Sequence, residues 1–120
     1  MGRKILLAED SQATQKFVSY MLRSRGHQVD VCSDGIEALQ RYTEGEYDLV
    51  ILDVMMPQMN GLDVLREIRR QFPSRKTPVI MLTSEARQED QQRGLDLGAN
   101  SYLAKPFKPE QLLELVEKLK

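Results

Sequence analysis

Short apolar runs alternate with longer segments of helical period along the whole chain. Residues 5–8, 49–52 and 79–82 are apolar at every position, which is typical of strands that are buried on both faces of a sheet. Val29 and Val31 instead alternate with polar residues, which predicts a less buried strand. The predicted strands cover residues 4–8, about 29–31, 49–52, 79–82 and 101–104.

Each predicted strand is followed by a segment whose apolar residues recur every three or four positions. The first predicted helix spans about residues 12–25 and ends at Gly26, a typical C-terminal cap. The fourth, at 85–97, contains few apolar residues, so it should be the least firmly held. The inward face of the first helix is predicted to hold Phe17, Val18, Met21 and Leu22. The other helices are predicted from 35 to about 43, from 62 to just before Pro73, and through Leu112, Leu115, Val116 and Leu119.

Strands that alternate with helices require parallel pairing through crossover connections, and fully apolar central strands require a sheet covered on both faces. The pattern therefore predicts an α/β fold, a doubly wound (βα)5 parallel sheet. Covering both faces requires the winding direction to reverse once, which creates a crevice beyond the carboxyl ends of the strands. A functional site is expected in that crevice.

Composition limits the class of protein. A chain of 120 residues that is 41% hydrophobic and 29% charged fits one globular domain. A net charge of -1 predicts no direct contact with nucleic acid, which needs a basic surface. No apolar run exceeds four residues, so no membrane segment is predicted. The single cysteine cannot form an internal disulfide, so the predicted location is the cytoplasm.

Polar residues follow the apolar strands at their carboxyl ends. Glu9 and Asp10 follow the first strand, and Asp53 follows the third. Parallel strands bring these carboxylates together, where they suit a hard cation such as Mg²⁺. Thr83 and Lys105, which follow the fourth and fifth strands, could hold the remaining oxygens of a phosphoryl group. A carboxylate such as that of Asp53 could accept the phosphoryl group itself.

Four separated motifs in the right order carry a resemblance to a known family. They are Ala8-Glu9-Asp10-Ser11, Leu52-Asp53-Val54-Met55-Met56-Pro57 with Gly61 after it, Leu82-Thr83-Ser84, and Ala104-Lys105-Pro106-Phe107. With these motifs the sequence resembles a response-regulator receiver domain of two-component signalling, similar to the chemotaxis regulator. The resemblance covers the whole chain. It implies one receiver domain over residues 1–120, with a flavodoxin-like sheet of strand order 2-1-3-4-5.

The resemblance also implies roles for the site residues. Asp53 would accept the phosphoryl group from the phosphohistidine of a histidine kinase or phosphotransfer protein. Mg²⁺ would be bound by Asp10, Asp53 and the backbone carbonyl of Met55, with Glu9 reaching it through water. The phosphorylated domain would then bind an unknown output protein or domain through a changed 83–120 face. The remaining implied roles are phosphoryl contact by Lys105, phosphoryl sensing by Thr83, a small side chain at Ser84, a rotamer change at Tyr102 and a cis bond before Pro106.

Other readings stay open at this point. Taken singly, Glu9-Asp10-Ser11 is more often an N-terminal helix cap, and Lys105 more often a solvated loop residue. An aspartyl-phosphate phosphatase of the haloacid dehalogenase type would need an acid two residues after Asp53, where this chain has Met55. A flavodoxin-like electron carrier would need a phosphate-binding first loop, which Glu9 and Asp10 would repel.

A milder alternative keeps the receiver chemistry but makes the chain an excised piece of a longer regulator. Nothing in the sequence resembles a linker or an output domain, so a single-domain switch is expected. It is expected to assist its own phosphorylation and dephosphorylation and to turn over no substrate of its own. The only histidine, His27, lies away from the motifs, which argues against a Ser-His-Asp or zinc site.

Overall fold

Strands and helices alternate strictly in the computed structural model of the chain. It describes the backbone of residues 2–84 and 88–119, and the side chains of these residues except 84 and 88–91. The strands are β1 (Lys4–Ala8), β2 (Gln28–Cys32), β3 (Leu49–Asp53), β4 (Val79–Ser84) and β5 (Ser101–Lys105). The helices are α1 (Gln12–Ser24), α2 (Gly35–Glu44), α3 (Gly61–Gln71), α4 (Gln88–Asp96) and α5 (Pro109–Lys118).

The five strands form one parallel sheet in the order β2-β1-β3-β4-β5. The predicted fold class and strand order are thus confirmed. The order reverses between β1 and β3, because β2 lies on one side of β1 and every later strand on the other. The crevice created by this reversal lies beyond the carboxyl ends of β1 and β3.

The core consists of two layers, one on each face of the sheet. Successive strand side chains point to opposite faces, so Leu6 and Ala8 join one layer while Ile5 and Leu7 join the other. Strand β3 is buried at all five positions, as its apolar run predicts. The first layer packs against α2 and α3 through Ala38, Tyr42, Leu62, Leu65 and Ile68. The second layer packs against α1 and α5 through Val18, Met21, Leu22, Leu112 and Val116.

Helix α1 shows where the predicted inward face was wrong. Val18 and Leu22 are fully buried, but the Phe17 side chain is 43% exposed. Phe17 lies at the rim of the apolar stripe, where its ring packs against that of Phe107 with centroids 6.2 Å apart. The helix ends as predicted, because Gly26 adopts a φ of 87° that favours glycine.

Helix α4 begins in the described structure at Gln88 and ends at Asp96. The first three residues of the predicted 85–97 helix lie outside the described residues. Near the end of α4, Gly94 is buried, and a Cβ there would lie 3.4 Å from the Cγ of Met81. The end of α4 therefore covers the same face of the sheet as α2 and α3.

His27 precedes β2, at the edge of the sheet opposite the crevice. Its Nδ1 accepts the backbone N–H of Arg3 at 3.0 Å. This hydrogen bond and the half-buried position of the ring indicate a structural residue. Burial and the nearby charge of Arg3 lower the pKa of His27. Among the described residues, no helix combines the length and the apolar content that crossing a bilayer requires.

Candidate metal and phosphoryl site

Among the residues whose side chains are described, three polar ones are buried where the strands end at the crevice. Glu9 is 0%, Asp53 is 5% and Thr83 is 1% exposed. Glu9 follows β1, Asp53 ends β3 and Thr83 is the penultimate residue of β4, and these three strands lie side by side in the sheet. Because burying a carboxylate is costly unless it is paired, this arrangement needs a compensating cation.

Lys105, the last residue of β5, supplies a positive charge to both buried carboxylates. Its Nζ lies 2.7 Å from Oε1 of Glu9 and 3.2 Å from Oδ2 of Asp53. Burial lowers the pKa of Lys105. The hydrogen bond to Glu9 and the charges of Asp53 and Glu9 raise it by a larger amount, so the pKa lies above its usual value. The ammonium group is therefore charged at neutral pH, and it is already in place beside Asp53.

Burial raises the pKa of Glu9. The hydrogen bonds that Glu9 accepts from Lys105 and from the Ser11 backbone oppose that rise. The Ser11 N–H donates to Oε2 of Glu9 at 3.0 Å. The hydroxyl of Ser11 separately caps α1 by accepting the Thr14 N–H at 3.4 Å. Ser11, in the loop after β1, thus caps α1 and also holds the Glu9 carboxylate in position.

Asp10 completes an acidic cluster, and unlike Glu9 it is exposed. Carboxylate oxygens of Glu9, Asp10 and Asp53 all lie within 4.8 Å of one another. Hard, oxygen-preferring cations such as Mg²⁺ are bound through one or two carboxylates and keep several waters. One exposed and two buried carboxylates beside open solvent fit that requirement, so the cluster is positioned to bind Mg²⁺.

The loop between β3 and α3 is held tightly against Asp53. The Met55 N–H donates to Oδ1 of Asp53 at 3.3 Å, which places the Met55 backbone beside the acidic cluster. Gly61 is packed so closely that a Cβ there would lie 2.1 Å from the carbonyl oxygen of Asp53. A Cβ on Gly35, at the start of α2, would lie 1.8 Å from the Met59 carbonyl oxygen. Glycine at 35 and 61 is therefore required for this loop to keep its position.

The other predicted site residues lie on β4 and β5. Thr83 pairs with Ala104 in the register of these strands, and Tyr102 packs half-buried against the first core layer. Met81 belongs to that layer, so the alternation of side chains puts Thr83 and Tyr102 on the same face of adjacent strands. The peptide bond between Lys105 and Pro106 is cis. Ser84 ends β4, and its side chain lies outside the described part of the structure.

The contacts that two residues, Lys105 and Gln15, make at the site were not predicted. Lys105 was expected to contact phosphoryl oxygens, and its ion pairs with Glu9 and Asp53 had not been anticipated. Gln15 was not singled out, yet its amide donates to the Glu9 carbonyl oxygen and, at 3.1 Å, to the Ser33 hydroxyl. The sequence feature that could have indicated this contact is the polar character of Gln15, one turn into α1 on the side that faces the strand ends.

Replacing Asp10 by Asn is expected to stabilise the metal-free protein by an amount on the order of 1 kcal/mol. Two carboxylates about 5 Å apart repel by up to about 3 kcal/mol at an effective dielectric of 20, and solvent exposure reduces this. The same change should weaken Mg²⁺ binding, because it removes an anionic ligand. Urea unfolding with and without Mg²⁺ measures both effects. A variant less stable than the wild type without metal would contradict this prediction.

Comparison with known proteins supports the architecture described above. A sequence model of the response regulator receiver domain matches residues 5–117. The receiver domain of a sensor histidine kinase from Pseudomonas aeruginosa, with a magnesium ion coordinated in its active site cleft, superimposes with a TM-score of 0.90 at 39% identity, over 99% of this chain and 98% of that one. Chemotaxis protein CheY4 of Vibrio cholerae superimposes with a TM-score of 0.91 at 36% identity, over 100% of both chains.

Curated relatives are longer than this chain. The transcriptional regulatory protein HprR of Escherichia coli is 44% identical over 113 residues, which are 94% of this chain and 49% of the relative. The regulatory protein VanRB of Enterococcus faecalis is 43% identical over 119 residues, which are 99% of this chain and 53% of the relative. The chain thus spans about half the length of the curated relatives it matches.

Proposed function

The chain belongs to the family of response regulator receiver domains, which are signalling domains of two-component systems, and we propose that it is a switch operated by phosphorylation of Asp53. The observation that carries this proposal is the position of the Asp53 carboxylate. One of its oxygens lies 3.2 Å from the Lys105 ammonium group, and an oxygen of Asp53 lies within 4.8 Å of a carboxylate oxygen of Glu9 and of Asp10. A nucleophile that contacts a fixed cation and belongs to a cation-binding cluster suits phosphoryl transfer.

In the proposed reaction, a carboxylate oxygen of Asp53 forms a P–O bond while the P–N bond of a donor phosphohistidine breaks. The donor is the phosphohistidine of a histidine kinase or of a phosphotransfer protein. Lys105 then exchanges its contact with Asp53 for one with a phosphoryl oxygen, and it stabilises the transferred charge. Asp10, Asp53 and the Met55 backbone carbonyl would hold Mg²⁺, with Glu9 reaching it through water. When bound, Mg²⁺ would neutralise charge on the phosphoryl oxygens.

The proposed switch is one receiver domain over residues 1–120, located in the cytoplasm. The domain assists its own phosphorylation and dephosphorylation and acts on no substrate of its own. Its net charge of -1 supports signalling through protein contacts rather than direct nucleic acid binding. Domains similar to this chain make up the whole of the CheY4 chain and about half of HprR.

The proposed chemistry is tested by incubating the protein with acetyl phosphate and Mg²⁺. We expect the intact mass to increase by one phosphoryl group, and we expect this increase to disappear when a chelator removes Mg²⁺. Alkaline treatment should release the label, because acyl phosphates are labile to base. A label that resists base, or that forms equally well in the chelator, would contradict an aspartyl-phosphate switch.

Phosphorylation is expected to change the face built from residues 83–120. Thr83 follows Leu82, which pairs with Asp53 in the sheet, and Tyr102 lies on the same face of the neighbouring strand as Thr83. Drawing Thr83 toward the phosphoryl group would free space into which the Tyr102 ring can turn, and would bias α4 toward a second position. Amide chemical shifts recorded with and without beryllofluoride measure this change. Shifts confined to the loops around Asp10 and Asp53 would show that the output surface lies elsewhere.

A further inference from the structure

Gln15 joins two of the loops that border the crevice. It lies one turn into α1 and is half-buried. A glutamine amide nitrogen carries two N–H donors. One donates to the Glu9 carbonyl oxygen after β1, and the other donates to the Ser33 hydroxyl after β2. Both donors are therefore used to tie the ends of two neighbouring strands together.

The contact from Gln15 completes the fixation of Glu9. The Glu9 N–H donates to the Cys32 carbonyl oxygen at 3.0 Å. Its carboxylate accepts from Lys105 and from the Ser11 backbone. With the bond from Gln15 to its carbonyl oxygen, every polar atom of Glu9 has a hydrogen-bond partner. The position of Glu9 therefore depends on the residues that supply these hydrogen bonds.

The Glu9 carbonyl belongs to the peptide unit that joins Glu9 to Asp10. A peptide unit is planar, so fixing its oxygen also fixes the directions in which the two flanking Cα atoms lie. The Glu9 and Asp10 side chains diverge from these two Cα atoms into the acidic cluster. A bond to this one oxygen therefore affects the placement of both carboxylates relative to Asp53.

We propose that Gln15 is a positioning residue for the Mg²⁺ site: its amide bridge to the Glu9 carbonyl and Ser33 orients the Glu9–Asp10 peptide, so that both carboxylates face Asp53. This inference rests on the proposed function, because it assigns Gln15 to the metal site of that switch. Groups that orient metal ligands without touching the metal typically change metal affinity by about 10- to 100-fold when they are removed. Gln15 acts on the backbone between two ligands, and we expect the low end of that range.

The test replaces Gln15 by Met, which keeps the length of the side chain and removes both donors. Mg²⁺ binding is measured by isothermal titration calorimetry at constant ionic strength. We expect the Kd for Mg²⁺ to rise about 10-fold in Gln15→Met. Gln12→Met is the matched control, because Gln12 is an exposed glutamine of the same helix. The Kd of Gln12→Met for Mg²⁺ should stay within about twofold of the wild-type value, as expected for a substitution at an exposed position.

A second measurement needs no metal. The Ser11 N–H donates to the Glu9 carboxylate, so its amide chemical shift reports on where that carboxylate lies. In metal-free protein we expect this shift to change in Gln15→Met and to remain at its wild-type value in Gln12→Met. Ser33→Ala, which removes one end of the bridge, should change the Ser11 shift in the same direction by a smaller amount.

The outcomes separate the inference from the proposed function. Wild-type protein whose Mg²⁺ binding is absent, or is unaffected by Asp10→Asn, overturns the proposed metal site itself. Wild-type binding that depends on Asp10, together with an unchanged Kd and Ser11 shift in Gln15→Met, overturns the role of Gln15. A lowered melting temperature with the wild-type Kd would also overturn it, because Gln15 would then only stabilise the fold.

Discussion

Replacing Asp53 by Asn is expected to abolish phosphorylation by acetyl phosphate completely. The amide has nearly the same shape but lacks the anionic oxygen that forms the P–O bond. No other described carboxylate lies within hydrogen-bond distance of Lys105 except Glu9, which is 0% exposed and is bonded at both of its oxygens. The intact mass after incubation with Mg²⁺ and donor measures the loss directly.

Asp63→Asn is the matched control for that experiment. Asp63 lies on α3 and pairs with Arg66 on the surface at 2.9 Å, so its replacement should leave the labelling stoichiometry unchanged. Labelling of Asp53→Asn at the wild-type stoichiometry would show that a different residue accepts the phosphoryl group. It would also remove the main support for the proposed function.

Replacing Lys105 by Met is expected to destabilise the metal-free protein by about 2–3 kcal/mol. Removing one partner of a buried ion pair typically costs about 3–5 kcal/mol, and the 28% exposure of the Lys105 side chain reduces this cost. The variant leaves the Glu9 and Asp53 carboxylates buried without their cation. Chemical unfolding measures the change, and Lys76→Met, at an exposed loop lysine, is the control.

The cost of Lys105→Met should depend on pH and on Mg²⁺. Burial already raises the pKa of Glu9, and loss of Lys105 removes the group that most opposes this rise. An acid whose pKa is higher in the folded state stabilises the fold less as pH rises above its unfolded value. The variant should therefore lose more stability at pH 7 than at pH 4, and Mg²⁺ should restore part of the loss. A loss equal at both pH values would contradict the charge-based explanation.

The fold could be predicted because the hydrophobic pattern of the strands indicates how they are buried in the sheet. The apolar runs of β1, β3 and β4 predict a sheet that is covered on both faces. Parallel topology requires the carboxyl ends of these strands to meet, and the sequence alone therefore places Glu9, Asp10 and Asp53 together. The exposed rim position of Phe17 could not be derived in the same way, since a helical pattern gives the direction of a face but not its width.

The internal contacts of the site could not be read from the sequence because they depend on distances between separate loops. Lys105 and Glu9 are 96 positions apart, and the 2.7 Å contact follows from how β5 and β1 end relative to each other. Likewise, nothing local to Gly35 indicates that the Met59 carbonyl will lie against it. The strand ends predict which residues lie close together at the edge of the sheet. The lengths of the side chains and the conformations of the loops decide which of these residues form hydrogen bonds or ion pairs.

The buried thiol of Cys32 makes this protein convenient for site-specific labelling. Cys32 is 2% exposed, and burial raises its pKa to about 12. At pH 8 these thiols are therefore almost all protonated, and only the thiolate reacts with alkylating reagents. A cysteine introduced at an exposed position such as Leu95, which is 43% exposed, would therefore take up a maleimide fluorophore or a nitroxide with little background. The native sequence needs no prior cysteine removal, so spectroscopic probes can be attached to α4 in an otherwise unaltered protein.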